Sequence, residues 1–160
     1  LPHQSLLGRE TDAQRQRVWS ALARVGLEAQ AQQTFASLSG GEQQRGLIAR
    51  ALVQQAGLIM LDEPVNHLDV YYQHEVLGLL RQLAHEQGLT VLMSLHDLNL
   101  AARYCDRLLL LQQGRVEAHG SVAEVLQPAL LERVFRLPCR LTSDIGAVPH
   151  VEFLPPERTE

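Results

Sequence analysis

Two short runs constrain the fold most: the wholly apolar Leu58-Ile59-Met60-Leu61, and the largely apolar stretch from Thr90 to Leu95. Each is too short for a helix of ordinary length, and each is followed by polar or acidic residues, as expected of strands buried on both faces. Between them, from about Val70 to Gln87, Tyr72, Val76, Leu79, Leu80 and Leu83 keep helical spacing, and Gly88 follows as a breaker. Strand, long helix and strand make the unit of a parallel sheet. A third apolar run, Leu108 to Leu111, follows a short helix opened by His96-Asp97 and continuing through Tyr104. The predicted class is therefore α/β, a parallel sheet flanked by helices, with ligands gathered at the carboxyl ends of its strands. Asp62, Glu63 and His96 stand at such ends.

The remaining elements follow from local signals. Thr11-Asp12-Ala13-Gln14 reads as a capping box, after which Val18, Leu22 and Val25 share a helical face up to Gly26. A second helix starts at Ser39-Gly40-Gly41-Glu42, carries Leu47, Ile48, Ala51 and Leu52 on one stripe, and ends before Gly57. Gln113-Gly114 turns the third strand back through Val116. Ser121 to Glu124 makes a third capping box, starting helices that run to about Phe135, and the tail from Pro138 to Pro156 mixes strand-like pieces with prolines.

Composition excludes several classes. Fourteen cationic residues against eighteen acids leave a net charge of −4, which gives no general attraction to nucleic acid or anionic lipid. No apolar run approaches the roughly 18 residues that span a bilayer, so membrane association is expected through a protein partner. Cys105 and Cys139 lack CxxC spacing and fit a reduced chain better than a disulfide framework. All fourteen cations are arginine, so the sequence contains no lysine.

Chemistry concentrates in three places. Leu38 to Arg45, LSGGEQQR, reads first as a capping box in which Ser39 caps the helix and Glu42 reaches back. It also reads as an anion site, because two glycines at a helix start let N–H groups approach a phosphate, assisted by the helix dipole and a serine hydroxyl. Asp62-Glu63 is either a strand turning into solvent or a pair in which one acid positions Mg²⁺ and the other a water. His96 alone reads as a neighbour of a helix cap as readily as a ligand of phosphate. A metal site at His67, Asp69 and His74 is explained better as a solvated loop and an exposed helix face. Cys105 reads as a packed thiol. Tyr71 and Tyr72, at a helix start, have the faces to stack on a ligand, although a core or interface role suits at least one of them better.

Taken in order, LSGGEQQR, LIMLDEP, Asn66-His67-Leu68-Asp69 and LHDLNLAA from Leu95 to Ala102 resemble the ATP-binding cassette (ABC) family. Leu38 to Arg45 resembles its signature, Met60 to Glu63 lies in its Walker B strand, Asn66 to Asp69 resembles its D-loop, and His96 matches its switch histidine. The stretches from Gln73 to Leu80, Leu98 to Val116 and Glu124 to Phe135 are most similar to importers of iron–siderophore, haem or cobalamin complexes. The resemblance implies a partial P-loop NTPase-type nucleotide-binding domain. Residues 1–56 would be part of the helical signature subdomain, 57–137 the remainder of a RecA-like catalytic core, and 138–160 a C-terminal tail.

It further implies that two ATPase subunits face head to tail and sandwich each ATP. Ser39, Gly40 and Gly41, with Glu42 beside them, would hold the γ-phosphate of the partner's ATP, and Asp62 would position Mg²⁺ through water. Glu63 would polarise the attacking water, His96 would contact the γ-phosphate, and Asp69 would link the two sites across the dimer. Transmembrane permease subunits would be the direct partners and a substrate-binding protein an indirect one, which sets the subunit at the cytoplasmic face of a bacterial inner membrane.

Two departures qualify the resemblance. Val65 stands where the family commonly has threonine, a lost hydroxyl expected to leave the chemistry intact. No GxxxxGK[ST] loop exists in the 160 residues, and the missing lysine removes even a degenerate version. The Walker A loop, Q-loop glutamine and adenine platform are expected upstream of Leu1, and this chain alone is expected to be inactive. Two other classes compete: a soluble ribosome-associated ABC ATPase, in which the NHLD string also occurs, and a non-catalytic remnant that binds partners.

Overall fold

A computed structural model describes residues 11–143 and 148–156. The parts of the expected signature subdomain and tail at 1–10, 144–147 and 157–160 lie outside the described residues. The chain divides into two compact units, one ending at Ser94 and the other beginning at Leu95.

In the first unit, α1 (Asp12–Arg24) starts at the capping box of Thr11 and Gln14, and α2 (Gly40–Val53) at that of Ser39 and Glu42. Strand β1 (Leu58–Leu61) leads through a series of turns into α3 (Val70–Gln87), which ends at Gly88 with φ 63°. In that left-handed position glycine carries no Cβ penalty. Strand β2 (Thr90–Met93) then pairs parallel with β1, in the register Leu58↔Thr90 through Leu61↔Met93. Helix α1 packs on α2, α2 on α3, and α3 on β2. Their contact faces bury Ala21, Val25, Ile48, Ala49, Val76, Leu77, Leu80 and Leu83.

Two expectations change here. The strands are covered on one face rather than both: Ile59 is buried, whereas Leu58, Met60 and, across the register, Leu92 are exposed. Alternation along a strand places these three on one face, which the helices of this unit leave open. The second strand also stops at Met93 rather than Leu95. The N–H of Ser94 still reaches the Leu61 carbonyl (3.1 Å), but its hydroxyl turns to the residues after β1 and the ladder ends there.

The second unit starts with α4 (Leu98–Tyr104), capped by Asp97, whose carboxylate accepts from the N–H groups of Asn99 (2.7 Å) and Leu100 (3.0 Å). Strands β3 (Arg107–Gln112) and β4 (Arg115–Ser121) form a hairpin. Its two turn residues, Gln113 (φ 51°) and Gly114 (φ 75°), both lie in the left-handed region, the conformation that matches the natural twist of a two-residue hairpin. The pairing steps from Leu110↔Ala118 to Leu111↔Val116, a bulge with one extra residue on β4. The third strand thus pairs antiparallel with its successor. The parallel arrangement described is the β1–β2 pair, and the class is mixed α/β.

A third capping box, Ser121 with Glu124, opens α5 (Val122–Val125). Pro128 occupies the first turn of α6 (Pro128–Phe135), where its missing N–H costs nothing. Strands β5 (Cys139–Ser143) and β6 (Pro149–Phe153) pair antiparallel. Ala102, Leu110, Val125, Leu126, Leu131, Val134, Cys139 and Val151 form this unit's core. The Asn99 side chain joins helix to tail: its amide donates to the Val151 carbonyl (3.1 Å) and its oxygen accepts the Val151 N–H (2.7 Å). No helix among the described residues is long and apolar enough to cross a membrane.

Candidate nucleotide site

Ser39 has the extended backbone of an N-cap, and its hydroxyl accepts from the Glu42 N–H at 3.4 Å, a long bond. The stronger traffic runs the other way. One oxygen of Glu42 accepts from both the Ser39 N–H and the Ser39 hydroxyl (2.8 Å each), and the other accepts from the Gln30 amide (3.1 Å). These bonds, led by the Ser39 backbone, hold the Glu42 carboxyl below its ordinary range. The Ser39 proton is therefore committed to Glu42, and phosphate binding by that hydroxyl requires its release. Helix geometry leaves the first-turn N–H groups of Gly40 and Gly41 without intrahelical acceptors, so this helix start fits an anion through its backbone.

The glycines also have a packing reason. A Cβ on Gly41 would lie 2.7 Å from Cδ1 of Tyr72, and one on Gly40 would lie 3.2 Å from Cδ2 of Leu68. The start of α2 thus lies directly against the start of α3. Arg45, one turn further along α2, reinforces the contact by pairing with Glu75 of α3. Tyr72 packs here, while Tyr71 meets it edge-on with ring centroids 5.2 Å apart and remains exposed.

The acids after β1 are held differently. Glu63 has φ 47°, a left-handed conformation that costs a non-glycine residue on the order of 1–3 kcal/mol and interrupts the alternation of an extended strand. Its N–H donates to the Ser94 hydroxyl (2.8 Å), and that hydroxyl donates to Asp62 Oδ1 (2.7 Å). The Glu63 carboxylate accepts from the Asn66 amide (2.6 Å), and the Asn66 N–H returns to the Glu63 carbonyl (3.1 Å). One oxygen of Asp62 and the backbone of Glu63 are thereby tied to the end of β2. An exposed aspartate with its second oxygen outside this bond has the chemistry to hold a hydrated Mg²⁺. Beside Asp62, a groove of about 290 Å³ runs between α2 and β1, walled by Leu47, Ala51 and Ile59 and rimmed by Gln44 and Arg50.

Val65 is buried in the core, so its position serves packing. His67, with φ 63°, donates its N–H to the Asn66 side chain, and Asp69 caps α3 by accepting the Tyr72 N–H (3.1 Å). No group of three or more His, Cys, Asp or Glu side chains gathers around a metal position among the described residues. His96 belongs to the second unit, where it is exposed and immediately precedes the α4 cap. Cys105 and Cys139 are free thiols, each pushed up from its ordinary range first by burial and then by a neighbouring acid, Asp106 and Glu132 respectively.

Sequence reasoning missed Ser94. Its signal was the strand alignment: Asp62 follows Leu61, Ser94 follows Met93, and those two residues are partners in register.

A glycine-started helix packed against Leu68 and Tyr72, followed by a strand ending in two acids, is the arrangement of a partial ABC ATPase domain of mixed α/β type. Residues 2–66 match the family model described as ABC transporter, and the chain belongs to the ABC transporter ATP-binding family. It is 42% identical over 143 residues to the iron(3+)-hydroxamate import ATP-binding protein FhuC of Bacillus subtilis, a match covering 89% of this chain and 53% of the relative. It is 49% identical over 122 residues to the hemin import ATP-binding protein HmuV of Bordetella avium, covering 72% and 47%. Among solved structures, a metal-chelate type ABC transporter in an inward-facing conformation superposes with a TM-score of 0.86 at 32% identity, over 96% of this chain and 62% of that one. The chain spans about half the length of the curated relatives it matches.

Proposed function

We propose that the chain supplies the signature and catalytic-carboxylate half of the ATP-hydrolysing subunit of an importer for metal chelates, of iron–siderophore, haem or cobalamin type. The observation that carries this reading is the Asp62–Ser94–Glu63 network at the carboxyl end of the β1–β2 pair, where a parallel α/β sheet collects its ligands. The substrate class rests on the named functions of the relatives.

In this reading Ser39, Gly40 and Gly41 hold the γ-phosphate of ATP presented by a second, head-to-tail subunit, and Asp62 orients Mg²⁺ through water. Bound Mg²⁺ would supply charge neutralisation on the phosphate oxygens. Glu63 accepts a hydrogen bond from the attacking water, and His96 contacts the γ-phosphate. Asp69 ties the start of α3 to the subunit interface. Glu42 restrains Ser39 until nucleotide draws the hydroxyl away. The 160 residues alone, without a phosphate-gripping lysine loop, neither bind Mg·ATP with sub-micromolar affinity nor hydrolyse it. The assembled subunit works at the cytoplasmic face of the membrane, against permease subunits fed by a substrate-binding protein.

The test is a subunit of the relatives' length carrying this segment, reconstituted with its permease in proteoliposomes. ATP-dependent uptake of a ferric hydroxamate, haem or cobalamin supports the reading. Hydrolysis indifferent to the permease, or association with ribosomes instead, overturns it.

A further inference from the structure

We propose that Ser94 is a positioning residue for the strand-end acid pair, its single hydroxyl setting both the side-chain direction of Asp62 and the backbone turn that presents Glu63. This inference rests on the hydrolytic reading above and extends it to a residue outside the signature, Walker B, D-loop and histidine motifs.

A serine hydroxyl has one proton and two lone pairs. At Ser94 the proton goes to Asp62 Oδ1 (2.7 Å) and a lone pair takes the Glu63 N–H (2.8 Å), so the orientation of the hydroxyl is fixed from both sides. The backbone is fixed too, because the Ser94 N–H reaches the Leu61 carbonyl (3.1 Å) in continuation of the Leu61↔Met93 register. The hydroxyl therefore sits on a rigid strand end, 32 and 31 residues away in sequence from the two groups it holds.

Each bond answers a specific need. Glu63 occupies a left-handed conformation at φ 47°, which a non-glycine residue keeps only when its surroundings impose it. The Ser94 bond supplies that imposition at the Glu63 N–H, and the Asn66 amide holds the carboxylate beyond it (2.6 Å). Asp62 is exposed, and a carboxylate in water rotates freely unless one oxygen is held. Engaging Oδ1 directs the other oxygen. Outer partners of this kind change metal affinity or activity by about 10- to 100-fold when removed.

The experiment uses the assembled importer described above, with Ser94→Ala, Ser94→Thr and Ser94→Cys. Ser94→Ala is expected to lower kcat by about 10- to 100-fold, to raise the Mg²⁺ concentration for half-maximal hydrolysis, and to leave the KM for ATP within about threefold. Ser94→Thr, which restores the hydroxyl, is expected to recover most of the turnover. Normal kcat and Mg²⁺ dependence in Ser94→Ala overturn the proposal. A loss that Ser94→Thr shares also overturns it, because that pattern marks packing rather than the hydroxyl.

If Ser94→Ala does not fold, Ser94→Cys decides, since it keeps the volume and weakens the bond. Wild-type turnover with an unchanged melting temperature then rejects the role, and a kcat loss with a raised Mg²⁺ requirement upholds it. Glu63→Gln in the same preparation separates the two layers. If it leaves hydrolysis near normal, the catalytic reading fails, whereas a large loss there beside normal Ser94→Ala leaves that reading standing and removes Ser94 alone.

Discussion

The start of α2 and the end of β1 are both candidate phosphate-facing sites, and they are built by opposite means. At the helix start the hydrogen bonds of Ser39 come from within four residues, through a capping box and a first helical bond that also suit an unremarkable helix. At the strand end the backbone is strained at Glu63, and its partner Ser94 comes from 31 residues away. The first site is regular, with glycines set by close packing. The second is held against its local preference by tertiary contacts. A site held in this way puts the chemistry where the fold, rather than the local sequence, controls geometry.

The largest expected effect separates the two by function. In the full-length subunit Glu63→Gln is expected to lower hydrolysis by at least about 100-fold, the contribution of a positioned general base, with nucleotide binding and melting temperature retained. Steady-state hydrolysis beside equilibrium ATP binding and a thermal melt checks this, and the variant is expected to accumulate as an ATP-bound closed dimer. Near-normal turnover would reduce the strand end to a structural turn.

Stability is where the helix start is expected to dominate. Gly41→Ala forces a Cβ to within 2.7 Å of the Tyr72 ring and is expected to cost about 1–3 kcal/mol in a denaturant titration, partly recovered by adding Tyr72→Ala. Ser39→Ala removes the cap and is expected to cost about 1 kcal/mol in the same titration. Glu63→Gly is expected to be close to neutral. Relief of the left-handed strain, about 1–2 kcal/mol, is offset by added chain freedom of about 0.5–1 kcal/mol and by loss of the bond from the Asn66 amide. A loss well above about 2 kcal/mol in the same titration would show that the Asn66 bond outweighs the strain.

The smallest effect is a pH dependence. Glu42 has a folded-state value below the ordinary 4.5, so its contribution is present above that pH and disappears as acid takes the solution through the depressed folded value. Glu124 in the third capping box behaves alike, again mainly through the backbone N–H of its serine, here Ser121. Thermal melts across the acid range are expected to show a shallower decline in Glu42→Gln, and shallower still with Glu124→Gln added. An unchanged acid limb would mean that the boxes do not persist in solution.

These differences also explain what was legible in the sequence. All three capping boxes, the run of α3 and the Gln113-Gly114 turn rest on residues a few positions apart, and each formed where local chemistry places it. That Leu58, Met60 and Leu92 are the residues left open was not legible, because apolarity records a tendency to be covered and not what does the covering. The antiparallel pairing of the third strand follows from its turn rather than from its composition. Ser94 required two strands to be aligned end to end. The packing reason for Gly41 needed the tertiary position of Tyr72.

The clamp between Asn99 and Val151 has a consequence for assembly. Val151 sits mid-way along β6, and its N–H and carbonyl both point away from β5 to meet the two halves of one side-chain amide. That amide does for β6 what a neighbouring strand would do, occupying an outward-facing donor and acceptor that otherwise recruit another chain. Any strand adding along this edge must first displace Asn99. A single asparagine thus guards the tail hairpin against open-ended pairing without covering it.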